Sequence, residues 1–253
     1  MKELSIITIC YNEPNLEATC QSIINQTWQD FEWIVIDGGS NPETQAVWDK
    51  YKDRINKFIS EKDKGIYNAM NKGIKLATGK YLNFMNAGDS FYDNQVLRDT
   101  FESKKQTADV LYGDYSYSKG TKYQTICKFP PKILKYFWTK AILNHQSTFI
   151  KRKLFKKYGL YDEHLKILAD YDIFLRFYTN NATFEHINRI IALFGYTGIS
   201  SREENLKDKE FRLIKERYFP KDVLQEAARE WENTNTPSLA GHKKYIEVFR
   251  FLK

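Results

Sequence analysis

The sequence predicts an α/β protein: a mostly parallel sheet flanked by helices, followed by a helical C-terminal tail. Three observations predict it. Residues 4–10 and 31–37 are unbroken apolar runs rich in β-branched side chains, the signature of strands buried on both faces. Through the first hundred residues such runs alternate with segments of helical periodicity, joined by short loops, as parallel strands require. Each strand signal then stops at a polar segment carrying Asp, Asn or Gly.

The elements follow in order. After the strand at 4–10, residues 14–26 carry Leu16, Cys20, Ile23 and Ile24 on one stripe, with Asn12 as a cap. The strand at 31–37 ends at Asp37-Gly38-Gly39-Ser40. A helix is expected over 42–51 and a short strand over 57–60. Residues 66–77 place Ile66, Met70, Ile74 and Ala77 at helical spacing and close at Gly79. A strand at 81–85 leads into Asn86-Ala87-Gly88-Asp89, with a helix over 94–102. Beyond that point strands are expected at 109–112, 123–128 and 144–150, with a Gly/Lys/Tyr loop between the first two and an amphipathic helix over 131–140. A helix over 170–178, one or two strands over 182–194 and a polar helical region from 202 complete the chain. Its end sets Tyr245, Val248, Phe249 and Leu252 at i, i+3, i+4, i+7.

Length and composition bound the function. A chain of 253 residues, 42% hydrophobic and 28% charged, has room for one large domain or two small ones. No stretch approaches the roughly 18 uninterrupted apolar residues of a membrane span. Met1 runs straight into the first strand without a signal-peptide pattern, so a cytoplasmic location is expected. The three cysteines, Cys10, Cys20 and Cys127, are too few and too scattered for a disulfide framework or a zinc cluster. Buried inert thiols are expected at Cys10 and Cys20.

The net charge of +7 is concentrated. Residues 119–166 hold 12 Lys and Arg against two acids, Asp162 and Glu163, an excess of +10 that leaves −3 for the rest. Such a region suits an anionic partner, or forms a solvated lysine-rich surface.

In an open parallel sheet, ligands bind beyond the carboxyl ends of the strands. Here those ends are Tyr11-Asn12-Glu13, Asp37-Gly38-Gly39-Ser40, Glu61-Lys62-Asp63-Lys64-Gly65 and Asn86-Ala87-Gly88-Asp89. Together they predict one polar crevice lined by acids. Neither a G-x-G-x-x-G turn after the first strand nor a P-loop is present, so phosphate is not held in either of those ways. A nucleotide in such a crevice needs a divalent cation, and oxygen ligands such as Asp89 suit Mg2+ or Mn2+.

The order and spacing of Ser5 to Asn12, Gln26-Thr27, Phe31 to Ser40 and Glu61 to Gly73 closely resemble the opening blocks of family 2 glycosyltransferases. Asn86-Ala87-Gly88-Asp89 falls where that family carries its D-x-D metal motif. The resemblance continues through Asn144-His145-Gln146-Ser147 and Ala169-Asp170-Tyr171-Asp172, covering about residues 4–200. It implies a GT-A fold, a Rossmann-like sheet that binds a nucleoside-diphosphate sugar, UDP being the nucleotide the family uses most. By analogy Asp37 accepts a hydrogen bond from the base and Tyr11 lines the base pocket. Asn12, Glu13, Gly38, Asp63, Lys64 and Asn86 line the rest of the donor site. Asp89 is the implied ligand of Mn2+ or Mg2+, although Ala87 and Gly88 leave a single carboxylate in the motif.

The reaction so implied is an inverting displacement at the sugar C1, which needs a base for the acceptor hydroxyl and positive charge at the leaving diphosphate. Asp170 matches the family's catalytic carboxylate. Asp172 is its neighbour, and capping a helix is the structural alternative for either. His145 is placed beside the acceptor, and Asn68 and Asn71 either reach the donor sugar or cap local turns. Residues 195–200 are expected to form a loop near the diphosphate. Bacterial members commonly extend saccharides carried on a polyprenyl diphosphate at the inner leaflet. Lys128, Lys132, Lys135, Lys140, Lys151 and Arg152, interleaved with Phe129, Tyr136, Phe137 and Trp138, suit such a peripheral membrane contact. The basic stretch 243–253 adds to that contact or packs onto the domain.

The expected organisation is a glycosyltransferase domain over 1–200, with a nucleotide-sugar half at about 1–115 and an acceptor half at 116–200, then a helical extension over 201–253. Two other classes were weighed. A nucleotide-sugar-binding protein without transfer is motivated by the thinned metal motif, but Asp89 and Asp170 are both present. A nucleic-acid partner is not expected, because no helix-turn-helix, zinc finger or RNP pattern occurs and acidic strand ends repel a phosphate backbone.

Overall fold

The computed structural model describes residues 2–102, 105–118, 124–129, 143–195 and 203–220. The first half follows the expected alternation: β1 (Leu4–Cys10), α1 (Leu16–Ile24), β2 (Phe31–Asp37), α2 (Pro42–Tyr51), β3 (Lys57–Ser60), α3 (Ile66–Leu76), β4 (Tyr81–Phe84), β5 (Ser90–Phe91) and α4 (Val96–Phe101). It continues with β6 (Val110–Ser118), β7 (Gln124–Cys127), β8 (Thr148–Lys151), α5 (Arg152–Tyr158), α6 (Ala169–Thr179), β9 (Phe184–Gly195) and α7 (Glu204–Tyr218). The sheet runs in the order β3-β2-β1-β4-β8-β6-β9-β5, with β7 hanging on β6. Strands β3, β2, β1 and β4 are mutually parallel, β8 is antiparallel to both β4 and β6, and β6 and β9 are again parallel.

Alternation along each strand splits the core into two layers. Ile7, Ile9, Ile34, Ile36, Leu82 and Phe84 face α3, α5, α6 and α7. Leu4, Ile6, Cys10, Trp33 and Val35 face α1, α2 and α4. Each such side chain taken wholly out of water contributes roughly 1.5–3 kcal/mol. The polar residues inside these apolar strands have partners: Trp33 Nε1 donates to Thr8 Oγ1 at 2.9 Å. Buried Glu32 accepts from Ser5 Oγ at 2.6 Å and from the Thr78 N–H at 2.6 Å. Burial alone raises its pKa, but those bonds and Lys57 hold the carboxyl below the ordinary range. Cys10 and Cys20 are buried free thiols, both pushed up to about 12 by burial.

The second half departs from expectation in local ways. The strand expected over 109–112 runs on through Ser118 as β6, into the first part of the expected Gly/Lys/Tyr loop, whose residues 119–123 lie outside the described residues. Residues 144–147 form a turn, and β8 starts only at Thr148. Helix α5 and the two-residue β5 were not anticipated. The expected helix over 131–140, the loop over 196–200 and the terminal stretch 243–253 lie outside the described residues, and with them Lys132, Lys135, Lys140, Tyr136, Phe137 and Trp138. Among the described residues no helix is long and apolar enough to cross a membrane.

Candidate active site

The carboxyl ends of the parallel strands open onto a cavity of about 720 Å³. Tyr11 and Glu13 enter it after β1, Gly38 and Gly39 after β2, Lys62 and Asp63 after β3, and Asn86 and Ala87 after β4. Gly65, Ile66 and Ala69 of the α3 entrance close the side, and Ile9 and Cys10 form part of the floor. A crevice beyond the carboxyl ends of the strands is where an open α/β sheet binds its ligands, and four strand-end loops expected to meet there do meet.

Asp37, the last residue of β2, is fully buried. Its Oδ2 accepts from the N–H groups of Gly39 and Ser40 at 3.2 and 3.0 Å, from Gln45 Nε2 at 2.7 Å and from Ser60 Oγ at 2.6 Å. Burial raises its pKa, yet the hydrogen bonds of Ser40, Ser60 and Gln45 outweigh it and keep the group below the usual carboxylate range. The other oxygen, Oδ1, is buried with no partner among the described residues. One oxygen anchors the loop and the other is left for a donor.

Gly38 lies between two cavity walls: a Cβ there would sit 3.3 Å from the Tyr11 ring and 3.4 Å from Asp63 Oδ2. Asn12 takes a left-handed φ of 51°. Its N–H donates to Ser40 Oγ at 3.0 Å and its Oδ1 accepts from the Asn41 N–H at 2.8 Å. It braces the β1 and β2 loops together. Asp63 pairs with Lys72 Nζ at 2.6 Å, which also holds Glu61 at 2.6 Å. Lys62 lines the cavity, whereas the Lys64 N–H donates to Asn68 Oδ1 at 3.2 Å at the mouth of α3.

At the β4 end, loop 86–89 meets the turn 144–147. Asn86 Nδ2 donates to His145 Nε2 at 2.8 Å, and Gln146 Nε2 donates to Asp89 Oδ2 at 2.9 Å. With Nε2 accepting, the His145 proton sits on Nδ1, which lies 3.5 Å from Asp170 Oδ2. Asn86, His145 and Asp170 thus form a line from the cavity to the start of α6. Burial pushes the Asp89 carboxyl up to about 6; the Gln146 bond and His145 work against that, and the charge of Glu13 adds to it. A carboxyl held so high lacks positive charge, the condition a divalent cation relieves. Among the described residues no three His, Cys, Asp or Glu side chains converge as a complete metal cage. The donor set fits an ion that takes Asp89 from the protein and fills its other positions with phosphate oxygens and water.

Several residues that hold this line have no local sequence signal. Asn83 Nδ2, buried in β4, donates to the carbonyls of Gln146 and Thr148 at 3.0 and 2.9 Å and so fixes the His145 turn. Glu210 of α7 accepts from the N–H groups of Lys166, Ile167 and Leu168 at 2.6, 3.0 and 2.9 Å, immediately before Asp170. Tyr67 donates to the Ile167 carbonyl at 2.6 Å and accepts from the Ala169 N–H at 3.2 Å. Burial, with the charge of Asp170 adding, raises the Tyr67 phenol well above its ordinary value, so it stays protonated. Asn68 and Asn71 both donate to Glu163, at 2.9 Å each, tying α3 to the loop before α6. Asp172 is buried against Arg176, Arg217 and Tyr218, a structural ion cluster facing away from His145.

The comparisons with known proteins agree with this geometry. The family model for glycosyl transferase family 2 matches residues 5–159. A PGL/p-HBAD biosynthesis glycosyltransferase of Mycobacterium bovis is 31% identical over 201 residues, covering 78% of this chain and 77% of that protein. An uncharacterized glycosyltransferase of Methanocaldococcus jannaschii is 28% identical, covering 74% of this chain and 69% of its own. Among solved structures, S. aureus TarS 1–349 in complex with UDP-GlcNAc superposes with a TM-score of 0.63 at 19% identity, over 77% of this chain. The chain spans 58% of that structure's length. The mannosyltransferase PcManGT of Pyrobaculum calidifontis, in complex with GDP-Man and Mn2+, gives 0.59 at 15% identity, over 93% of this chain and 66% of its own. The sheet order, the crevice at its carboxyl edge and the match over most of the chain make this protein a GT-A-fold glycosyltransferase of family 2.

Proposed function

We propose that the chain moves a hexosyl or N-acetylhexosaminyl group from a UDP-linked donor to a saccharide acceptor, with inversion at C1. The acceptor in this reading is carried on a polyprenyl diphosphate, and the step belongs to bacterial surface polysaccharide synthesis at the inner face of the membrane. Residues 1–115 act as the donor half and 116–200 as the acceptor half. The observation that carries the reading is the buried, unpartnered Oδ1 of Asp37, the residue directly before Gly38 and Gly39, which line the cavity together with Tyr11. A buried carboxylate oxygen needs an N–H donor, and the N3–H of uracil supplies one. The neighbours solved with UDP-GlcNAc and with GDP-Man and Mn2+ support a nucleotide sugar as the donor class.

The chemistry follows from the placement. The Asp170 carboxylate takes the proton of the acceptor hydroxyl as that oxygen forms its bond to C1 and the bond from C1 to the diphosphate oxygen breaks. His145 Nδ1–H orients Asp170, and Asn86 fixes the tautomer of His145. Lys62 brings positive charge to the cavity wall, and Asp89 would hold Mn2+ or Mg2+. Bound there, the cation supplies charge neutralisation at the leaving diphosphate.

Calorimetric titration with UDP, GDP and dTDP, each with and without Mn2+, tests the donor half. UDP is expected to bind, more tightly with Mn2+, and to lose the metal's contribution in Asp89→Asn. Failure of all three nucleotides to bind the folded protein would overturn the reading.

A further inference from the structure

The described part of the basic region gathers at the opposite end of the sheet from the donor cavity. There β4 begins and β8 ends, with Tyr81 and Lys151 in register. A second cavity of about 360 Å³ opens between Gly79, Lys80, Lys151, Arg152, Lys153 and Lys156: five cationic side chains and no acid. Glu3 takes up Lys80 at 2.7 Å, and Asp109 takes up Lys151 and Lys153 at 3.3 and 2.8 Å. Among the described residues no carboxylate pairs with Arg152 or Lys156. Five cations against two carboxylates leave three positive charges unmatched.

The cations are held in place. Arg152 Nε donates to the Gly79 carbonyl at 3.0 Å and its backbone N–H to the Lys80 carbonyl at 2.9 Å, so the guanidinium is fixed across β4 and β8. Those bonds occupy Nε only, and no described acceptor takes the two Nη groups. Lys80 and Lys151 both lie over the Tyr81 ring, at 5.2 and 5.9 Å from its centroid. A fixed guanidinium fork beside an unpaired ammonium matches the geometry and charge of a phosphate group.

We infer that this pocket binds a phosphate-bearing anion, with Arg152 and Lys156 as its principal contacts. The anion is not the donor's diphosphate, because the six residue steps from Lys80 to Asn86 span roughly 20 Å of extended chain between the two cavities. The inference therefore stands whether or not the donor reading does. Two sources share the chemistry, a soluble phosphate compound and the headgroup of an anionic lipid.

The experiment titrates the full chain with inorganic phosphate by NMR, and separately sediments it with vesicles of phosphatidylcholine alone or mixed equally with phosphatidylglycerol. Phosphate is expected to shift the amide signals of Gly79, Lys80 and residues 151–156, with affinity falling about tenfold in Lys156→Gln and further in Arg152→Gln/Lys156→Gln. Lys156 makes no described structural bond, so the single variant keeps the fold. UDP affinity measured on the same samples is expected to stay unchanged. Sedimentation only with the anionic vesicles, lost in the variants, assigns the lipid source. Phosphate shifts without sedimentation assign a soluble one. Absence of both, or shifts confined to the donor cavity, or effects equal in the variants, overturns the inference.

Discussion

Asp37 divides its work between its two oxygens. Four donors converge on Oδ2 and, among the described residues, none on Oδ1, so the residue anchors the β2 loop and keeps a spare buried acceptor just behind the cavity-lining Gly38. In Asp37→Asn the amide must present N–H either to the loop donors or to the base. We expect UDP affinity to fall by about 10–100-fold, an unmatched buried donor costing roughly 1–3 kcal/mol, with the far-UV circular dichroism of the wild type retained. Asp109 makes the complementary case for stability. Burial raises its pKa, but bonds from Lys153, the Thr183 N–H and Lys151 outweigh that and bring it from 3.8 to about 2. A depressed folded pKa stabilises the fold above the unfolded value and loses that contribution as pH falls through the folded one. Asp109→Asn is therefore expected to cost about 2 kcal/mol at pH 7. Urea denaturation should show the gap between the two proteins narrowing below pH 4, toward nothing near pH 2; a gap constant with pH would refute the assignment.

At the scale of elements, helix α7 is a clamp on α6. Glu210 satisfies three N–H groups in the segment that leads into Asp170, and it does so from 42 to 44 residues further along the chain. Glu210→Gln replaces one acceptor oxygen by a donor facing donors. The expected result is a loss of about 2 kcal/mol, a Tm lower by roughly 4–8 °C, and a reduced kcat with UDP affinity unchanged. The turn into β4 has a second steric demand: a Cβ on Gly79 would lie 2.6 Å from the Ser5 backbone nitrogen. Gly79→Ala must push β4 away from β1, and a loss of at least about 2 kcal/mol in chemical denaturation is expected. These two elements also show what sequence reading reaches. Strands β1 and β2 and helix α2 are legible to the residue, because burial on both faces of β1 and β2 imposes unbroken apolar runs and because Asn41 and Pro42 mark the α2 start, with the Thr44 N–H on Asn41 Oδ1 at 3.0 Å. Only the start of β6 is legible, as the strand expected over 109–112; the Gly-Asp-Tyr-Ser-Tyr-Ser run that follows has the composition of a loop and is a strand because β9 and β7 pair with it. Asp37, Glu13, Asn86 and Asp89 carry their signal in strand-end position. Glu210 and Asn83 carry none, because their partners are set by tertiary packing alone.

In the proposed reading, donor binding and proton transfer stand on separate scaffolds of the molecule. The donor cavity is built by the parallel strands β1 to β4, whereas Asp170 stands on α6, held by α3 and α7, and does not line that cavity. The two meet only where Asn86 touches His145 and His145 faces Asp170. If this division is functional, variants on the two sides must separate in kinetics. Asp170→Asn keeps the size and leaves the N-cap geometry of α6, and is expected to lower kcat by about 10²–10⁴-fold, the usual worth of a general base, while UDP affinity stays within about twofold. His145→Ala removes the proposed orienter of Asp170 and leaves Asn86 Nδ2 without its partner, so a smaller fall in kcat is expected, with a shifted pH profile and UDP affinity within about twofold. Lys72→Ala, on the donor side, frees Asp63 and Glu61 and is expected to raise the KM for donor more than it lowers kcat. Steady-state kinetics against donor and acceptor, paired with UDP calorimetry on each variant, decides the matter. Loss of UDP binding in Asp170→Asn, or transfer at the wild-type rate, would mean that the carboxylate at the head of α6 belongs to the fold and not to the reaction.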